Sequence, residues 1–159
     1  DKVIPNTGRW GSICPWEYDG TTVTASPKTD WVVKMFDIHA KNFVMETTIH
    51  RQDALSAGFI FDVDGDSIYD NNKIALLDFT ENEVWLTQAR YFPKHNARRF
   101  RFEGDTFQLK VVAYETLLEV YVNDIFVLHH MIDRTGGKIG LFAETGTVRF
   151  LDPKVYLLS

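Results

Sequence analysis

Hydrophobic and polar residues alternate along this chain with a period of two, and no stretch repeats apolar residues at i, i+3, i+4 and i+7 over a helical length. A period of two puts successive side chains on opposite faces of a strand. Phe43-Val44-Met45-Glu46-Thr47-Thr48-Ile49-His50 keeps its odd positions mostly apolar, as a strand with one buried face requires. Phe107, Leu109, Val111 and Ala113 alternate in the same way. Leu118, Val120 and Val122 take over after Glu115-Thr116, and Asn123-Asp124 turns the chain into Ile125-Phe126-Val127-Leu128. Asn and Asp tolerate the left-handed backbone of a tight hairpin turn, so these segments read as a three-stranded meander. Further strands are expected at Thr21–Ala25, Trp31–Met35, Ala57–Phe61, Ile74–Phe79, Val84–Ala89, Lys138–Ala143, Thr147–Leu151 and Val155–Leu158. Short strands at such regular intervals, with no helical segments between them, indicate an antiparallel sandwich or barrel.

Composition sets the scale. A chain of 159 residues with 45% hydrophobic and 25% charged positions suits one globular domain with its own core. The formal net charge of −5 argues against non-specific nucleic-acid or anionic-membrane partners and favours a neutral one. Cys14, the only cysteine, can form neither an internal disulfide nor a cysteine-based zinc site. The opening DKVIPNTGRWGSICPW has neither a leader-like apolar run nor a membrane span. The expectation is therefore a single β-sandwich domain over residues 1–159, a module of a larger polypeptide whose targeting signal was removed or lies elsewhere.

Three stretches carry a family resemblance: FVMETTIHRQDALSAGFIFD at 43–62, FQLKVVAYETLLEVYVNDIFVLHHMI at 107–132 and GKIGLFAETGTVRFLDPKVYL at 137–157. Together they look like a concanavalin-like jelly roll, and more narrowly they resemble the family 66 carbohydrate-binding modules attached to levanases and other fructan-cleaving glycosidases. The resemblance rests on Ala57-Gly58-Phe59-Ile60-Phe61, on the strand Ile74-Ala75-Leu76-Leu77-Asp78, and on Gly137-Lys138-Ile139-Gly140-Leu141 leading to Val148-Arg149-Phe150. Many such modules carry Arg where this chain has Asp62 and an aromatic where it has Glu144. The expected fold is thus all-β, a two-sheet antiparallel jelly-roll sandwich with Phe43, Met45, Ile49, Phe59, Phe61, Leu109, Val111, Val120, Val122, Ile139 and Leu141 in its core.

A sugar site needs hydrogen-bonding groups for hydroxyls and an aromatic face for the C–H side of a ring. Asp62, Asp78, Arg51 and Glu144, at expected strand ends, are the candidates for the first task, with Trp85 and Tyr69 for the second. The resemblance implies that the Asp62 and Asp78 strand ends sit side by side, which would make a pocket for one terminal sugar. The same carboxylates can equally cap turns. The acidic run Asp62-Val63-Asp64-Gly65-Asp66, with Asp70 beyond it, admits calcium, but Ser67 and Lys73 stand where a helix–loop–helix site needs Gly and Glu. No other cofactor is indicated. His129 and His130 are adjacent on a strand and point to opposite faces, so they cannot share a metal.

Glycoside hydrolysis requires two carboxylates flanking the scissile bond, and no Glu-x-Asp-x-x-Glu series occurs. Asp78, Glu81 and Glu83 cross an expected turn and would diverge. The basic loop Arg90–Arg99 mixes cations with aromatics, suited to a neighbouring domain or an acidic glycan. The sequence reading is a non-catalytic carbohydrate-binding module, secreted or cell-surface, that recognises a terminal sugar of an oligo- or polysaccharide such as a fructan and targets an attached catalytic domain, a glycoside hydrolase. The alternatives are a structural or protein-interaction jelly roll of a glycosidase without sugar binding, and a concanavalin-like glycoside hydrolase.

Overall fold

The structure is a computed structural model that describes residues 3–4, 16–28, 30–65, 71–89 and 93–158, with only the backbone for 3–4. Fourteen strands lie among the described residues: β1 (Val3–Ile4), β2 (Glu17–Asp19), β3 (Thr22–Ala25), β4 (Trp31–Ala40), β5 (Phe43–His50), β6 (Ser56–Val63), β7 (Lys73–Asp78), β8 (Glu83–Thr87), β9 (Asn96–Arg99), β10 (Thr106–Tyr114), β11 (Leu117–Val122), β12 (Ile125–Met131), β13 (Gly137–Glu144) and β14 (Val148–Leu157). They form two seven-stranded antiparallel sheets, β1-β4-β13-β6-β7-β8-β9 and β12-β11-β10-β5-β14-β3-β2. This is the jelly-roll sandwich that the alternation and the resemblance imply. No helix among the described residues is long and apolar enough to cross a membrane.

The second sheet follows the alternation closely. Every second residue of β5, β10 and β11 is buried, and the eleven residues named above as core are all fully buried. Asn123 and Asp124 both have left-handed backbone, φ 52° and 63°, and close the β11–β12 hairpin. The first sheet behaves differently, because β6 and β7 are buried at every position. Their inner residues, such as Ala57, Phe59 and Leu77, join the core between the sheets; Ile60, Ile74 and Leu76 join a second apolar cluster with Val33, Met35 and Phe142 on the outer face. Near-continuous apolar runs such as Ala57–Phe61 and Ile74–Leu77 are what a strand covered on both faces requires.

Four expected elements change shape. β4 runs on to Ala40 instead of stopping at Met35. The segments Thr147–Leu151 and Val155–Leu158 are one strand, β14, whose register shifts between Leu151 and Lys154, where Asp152 has φ 50° and Pro153 has no N–H to give the ladder. Asn96–Arg99, within the basic loop, is the edge strand β9, its charges on a sheet edge where they discourage further strand pairing.

At the far end of β6 from Ser56, Asp62 and Arg134 make a buried ion pair, with Nε to Oδ2 and Nη2 to Oδ1 both at 2.8 Å. The same guanidinium donates to the carbonyls of Glu115 (2.8 Å) and Lys41 (2.7 Å), in the β10–β11 and β4–β5 turns. Removing one member leaves a buried charge uncompensated. Arg134→Met is therefore expected to lose about 3–5 kcal/mol in urea unfolding, and the Asp62→Leu/Arg134→Met pair markedly less. A single variant as stable as the parent would show that the pair holds nothing together.

Candidate functional site

Strand register decides which side chains share a face. Trp31, Glu144, Ser56, Asp78, Glu83 and Arg99 are successive cross-strand partners on β4, β13, β6, β7, β8 and β9, and form one row along the end of the first sheet. Two residues further in, Val33, Phe142, Gly58, Leu76, Trp85 and Ala97 form the next row. Residues two apart on a strand share a face, so a polar row lies beside an apolar one. Val33, Leu76 and Phe142 belong to the outer cluster, with Trp31 and Trp85 packed against it, which puts both rows on the outer face.

A depression of about 390 Å³ opens there. Asp78, Glu144 and Ser56 line it from the polar row, and Leu76, Trp85 and Phe142 from the apolar one. Leu55 and the turn residues Thr80 and Glu81 complete the rim. Its polar groups are held in place. Ser56 donates its hydroxyl to Glu144 Oε1 at 2.9 Å. Asp78 Oδ1 accepts from Thr80 N–H (3.0 Å), Thr80 Oγ1 (2.7 Å) and Glu81 N–H (3.2 Å), which fixes the β7–β8 turn. Trp85 donates its indole N–H to Glu83 Oε1 at 2.9 Å, and Lys94 reaches the same oxygen at 3.0 Å with its ammonium 4.1 Å from the indole ring centre. The hydrogen bonds from Lys94 and Trp85 hold the Glu83 carboxyl below the usual carboxylate range.

Of the six residues singled out from sequence, the structure brings three together here: Asp78, Glu144 and Trp85. Asp62 does not join them. β6 and β7 are antiparallel and Ser56 pairs with Asp78, so Asp62, six residues further along β6, lies roughly 20 Å away. Side-by-side Asp strand ends would have required parallel strands. Arg51 is at the correct end but packs over Phe79 and Phe107, 5.4 and 5.6 Å from their ring centres, with Asp105 beside it. Tyr69 lies outside the described residues.

Asp78 also serves the fold as well as the depression, so Asp78→Ala would disturb the turn and is not a clean probe of binding. Ser56, Phe142, Thr80 and Glu81 were missed by sequence reasoning. The parity of β13 contained a signal: with Ile139, Leu141 and Ala143 inward, Phe142 and Glu144 face out together.

The other candidate chemistry disperses. Both oxygens of Asp62 are taken by Arg134, which removes it as a calcium ligand, and Asp66 and Asp70 lie outside the described residues. Among the described residues no group of three or more His, Cys, Asp and Glu could hold a metal. His130 stacks on His95 at 5.8 Å and His129 on Phe126 at 5.9 Å, so the neighbouring histidines serve different contacts. A larger hollow of about 470 Å³ opens at the sandwich edge against Tyr18, Val23, Phe36, Ile38 and Val155. Its carboxylate, Asp152, is paired with Lys154 at 3.1 Å, and it gathers fewer hydroxyl-binding groups than the depression at Asp78.

No protein-family model matches the chain. No curated protein matches it either. Solved structures do match in fold. A carbohydrate-binding module of family 66 from Bacillus subtilis superposes with a TM-score of 0.81 at 15% identity, over 90% of this chain and 91% of that one. A Bacillus subtilis protein of unknown function with a galectin-like fold gives a TM-score of 0.70 at 12% identity, over 90% and 86% of the two chains. A fructosyltransferase from A. japonicus gives 0.63 at 18% identity, with 90% of this chain covering 26% of the enzyme. The fold of this chain is that of carbohydrate-binding modules and of β-sandwich portions of glycan-processing enzymes.

Proposed function

We propose that the protein is a non-catalytic carbohydrate-binding module whose sugar site is the depression at the end of the first sheet's outer face. The observation that carries this reading is the pairing of a polar row, Glu144, Ser56 and Asp78, with an apolar row that ends in a pinned indole, Trp85. Hydroxyls need the first and the C–H face of a sugar needs the second. The fold shared with a family 66 module supports it. Fructans are the first glycans to test, since the sequence resemblance and the fructosyltransferase likeness lean the same way.

In this reading the chain is one domain of a secreted or cell-surface polypeptide and holds an attached glycoside hydrolase near its substrate by raising the local concentration. Asp78, Glu81 and Glu144 line the depression, and among the described residues no Lys or Arg lines it, which favours a neutral ligand over an anionic one. Isothermal titration against fructans, xylans, arabinans, glucans and a polyuronate is expected to find a neutral binder and no uronate binding. Uniformly absent binding would favour an interaction domain instead, a reading to which the exposed Ile125, Phe126 and Met131 of edge strand β12 lend some support.

Glu144→Gln keeps an acceptor for Ser56 but removes the charge, and is expected to weaken the best glycan about tenfold, corresponding to ~1.4 kcal/mol. Trp85→Ala should weaken it at least as much. If both variants bound like the parent, the site would lie elsewhere.

A further inference from the structure

Along one side of the sandwich, edge strand β9 of the first sheet lies against edge strand β12 of the second. Asn96 donates its side-chain amide to the His129 carbonyl at 2.7 Å, and the His95 ring stacks on the His130 ring, with centres 5.8 Å apart and planes 22° from parallel. His95 Nε2 is buried there with no hydrogen-bond partner. Lys94, the residue before it, reaches Glu83 at 3.0 Å and stands 4.1 Å from the centre of the Trp85 indole. We propose that the His95–His130 contact is an acid-released latch between the two sheets, and that its release slackens the Lys94 clamp on Trp85; only the consequence for ligand affinity rests on the sugar-binding reading of that indole.

The surroundings of His95 all disfavour a proton on it. Burial, then the Lys73 ammonium on β7, then His130 on β12 hold the imidazole below its usual range. Lys73 is itself buried and reaches only as far as the Asn72 carbonyl, at 3.4 Å. On the segment of His95 itself, Lys94 is paired with Glu83, and Arg98 is turned to Asn96 Oδ1 and the Ala97 carbonyl. A proton arriving on His95 would thus set an imidazolium against a second imidazole and in the field of Lys73, with no acceptor at Nε2. Once the contact opens, the ring regains its ordinary value of ~6.5 and takes up a proton more readily. The closed contact is therefore favoured above that pH and loses ground as pH falls below it.

The chain itself ties the clamp to the latch. The Pro93 carbonyl accepts the Thr87 hydroxyl at 2.8 Å, and the His95 N–H donates to the Leu86 carbonyl at 2.8 Å, so Lys94 is strung between two anchors on β8. His95 and Asn96 hold the other side to β12. Letting go of β12 leaves Lys94 supported from β8 alone, and a partly exposed ion pair such as Lys94–Glu83 does little by itself to hold the segment in place.

The test needs no ligand: nuclear magnetic resonance of the full chain between pH 7.5 and 5.5, parent against His95→Gln. Amide exchange at residue 95, corrected for its intrinsic pH dependence, reports on the seam, and the Trp85 indole N–H reports on the clamp. In the parent, protection of that amide is expected to fall severalfold over this range, with a ceiling of about tenfold set by one pH unit below the ordinary imidazole value. The indole resonance should move with the same midpoint. His95→Gln, uncharged throughout, should show neither change. Protection that is constant in the parent, or that falls equally in His95→Gln, would overturn the latch; an indole resonance that stays put while protection falls would overturn its link to Trp85. None of these outcomes touches the sugar-binding reading, which stands or falls on the glycan titrations. If His95→Gln does not fold, the titration of the His95 ring in the parent decides. A midpoint below the ordinary value that coincides with the loss of protection supports the latch, and a midpoint at the ordinary value, or one without any loss of protection, contradicts it.

Discussion

Gly58 cannot carry a side chain, because a Cβ there would run into the backbone of Ala75 and Leu76 on the neighbouring strand. Gly140 on β13 is under the same constraint against the backbone of Lys34 and Met35. Close backbone approach in the middle of a sheet is a recognised use of glycine in strands. Its consequence here is an outer face that lacks two side chains at its centre while Phe142, Leu76 and Ile60 pack around them. The Ala-Gly and Gly-x-x-Gly elements behind the family resemblance therefore have a physical reason: they let neighbouring strands approach closely. Gly58→Val would force β6 and β7 apart.

The two ends of the first sheet handle charge in opposite ways. Near Asp62 the charge is turned inward: the carboxylate is desolvated and paid back by a two-pronged contact with Arg134, whose remaining donors close two turns. Lys73, beside them, has its pKa lowered, chiefly by burial, with the Asp62 charge raising it and the Arg134 charge lowering it further. A buried pair of this kind fixes geometry more than it adds net stability. Near Asp78 the carboxylates of Asp78 and Glu144 line the depression instead, each held by uncharged donors through one oxygen. Where resembling modules carry Arg at position 62, this chain carries the carboxylate and obtains its cation from Arg134.

Most of the fold was legible because period-two alternation reports directly on which face is buried, and β5, β10 and β11 obey it residue by residue. The two-faced burial of β6 and β7 was visible only as unbroken apolar runs, which do not say which strand lies next to which. That gap explains the site. Glu144, Asp78 and Trp85 were recognisable one by one, but their meeting depends on β13 pairing with β6 and β8 pairing with β7, set by long-range contacts. Asp62 misled because a motif read along the chain does not show strand direction. Lys94 was read as part of a basic loop suited to a neighbouring domain or an acidic glycan, whereas it pins Trp85 and offsets Glu83.

Every functional statement depends on where a sugar lands. Backbone and indole chemical-shift changes in nuclear magnetic resonance, recorded while the best-binding oligosaccharide is added to the unmodified protein, test this directly. Shifts are predicted for the amides of Ser56, Thr80, Glu81 and Glu144 and for the indole N–H group of Trp85. Shifts gathered instead around Tyr18 and Asp152, or along β12, would contradict the account.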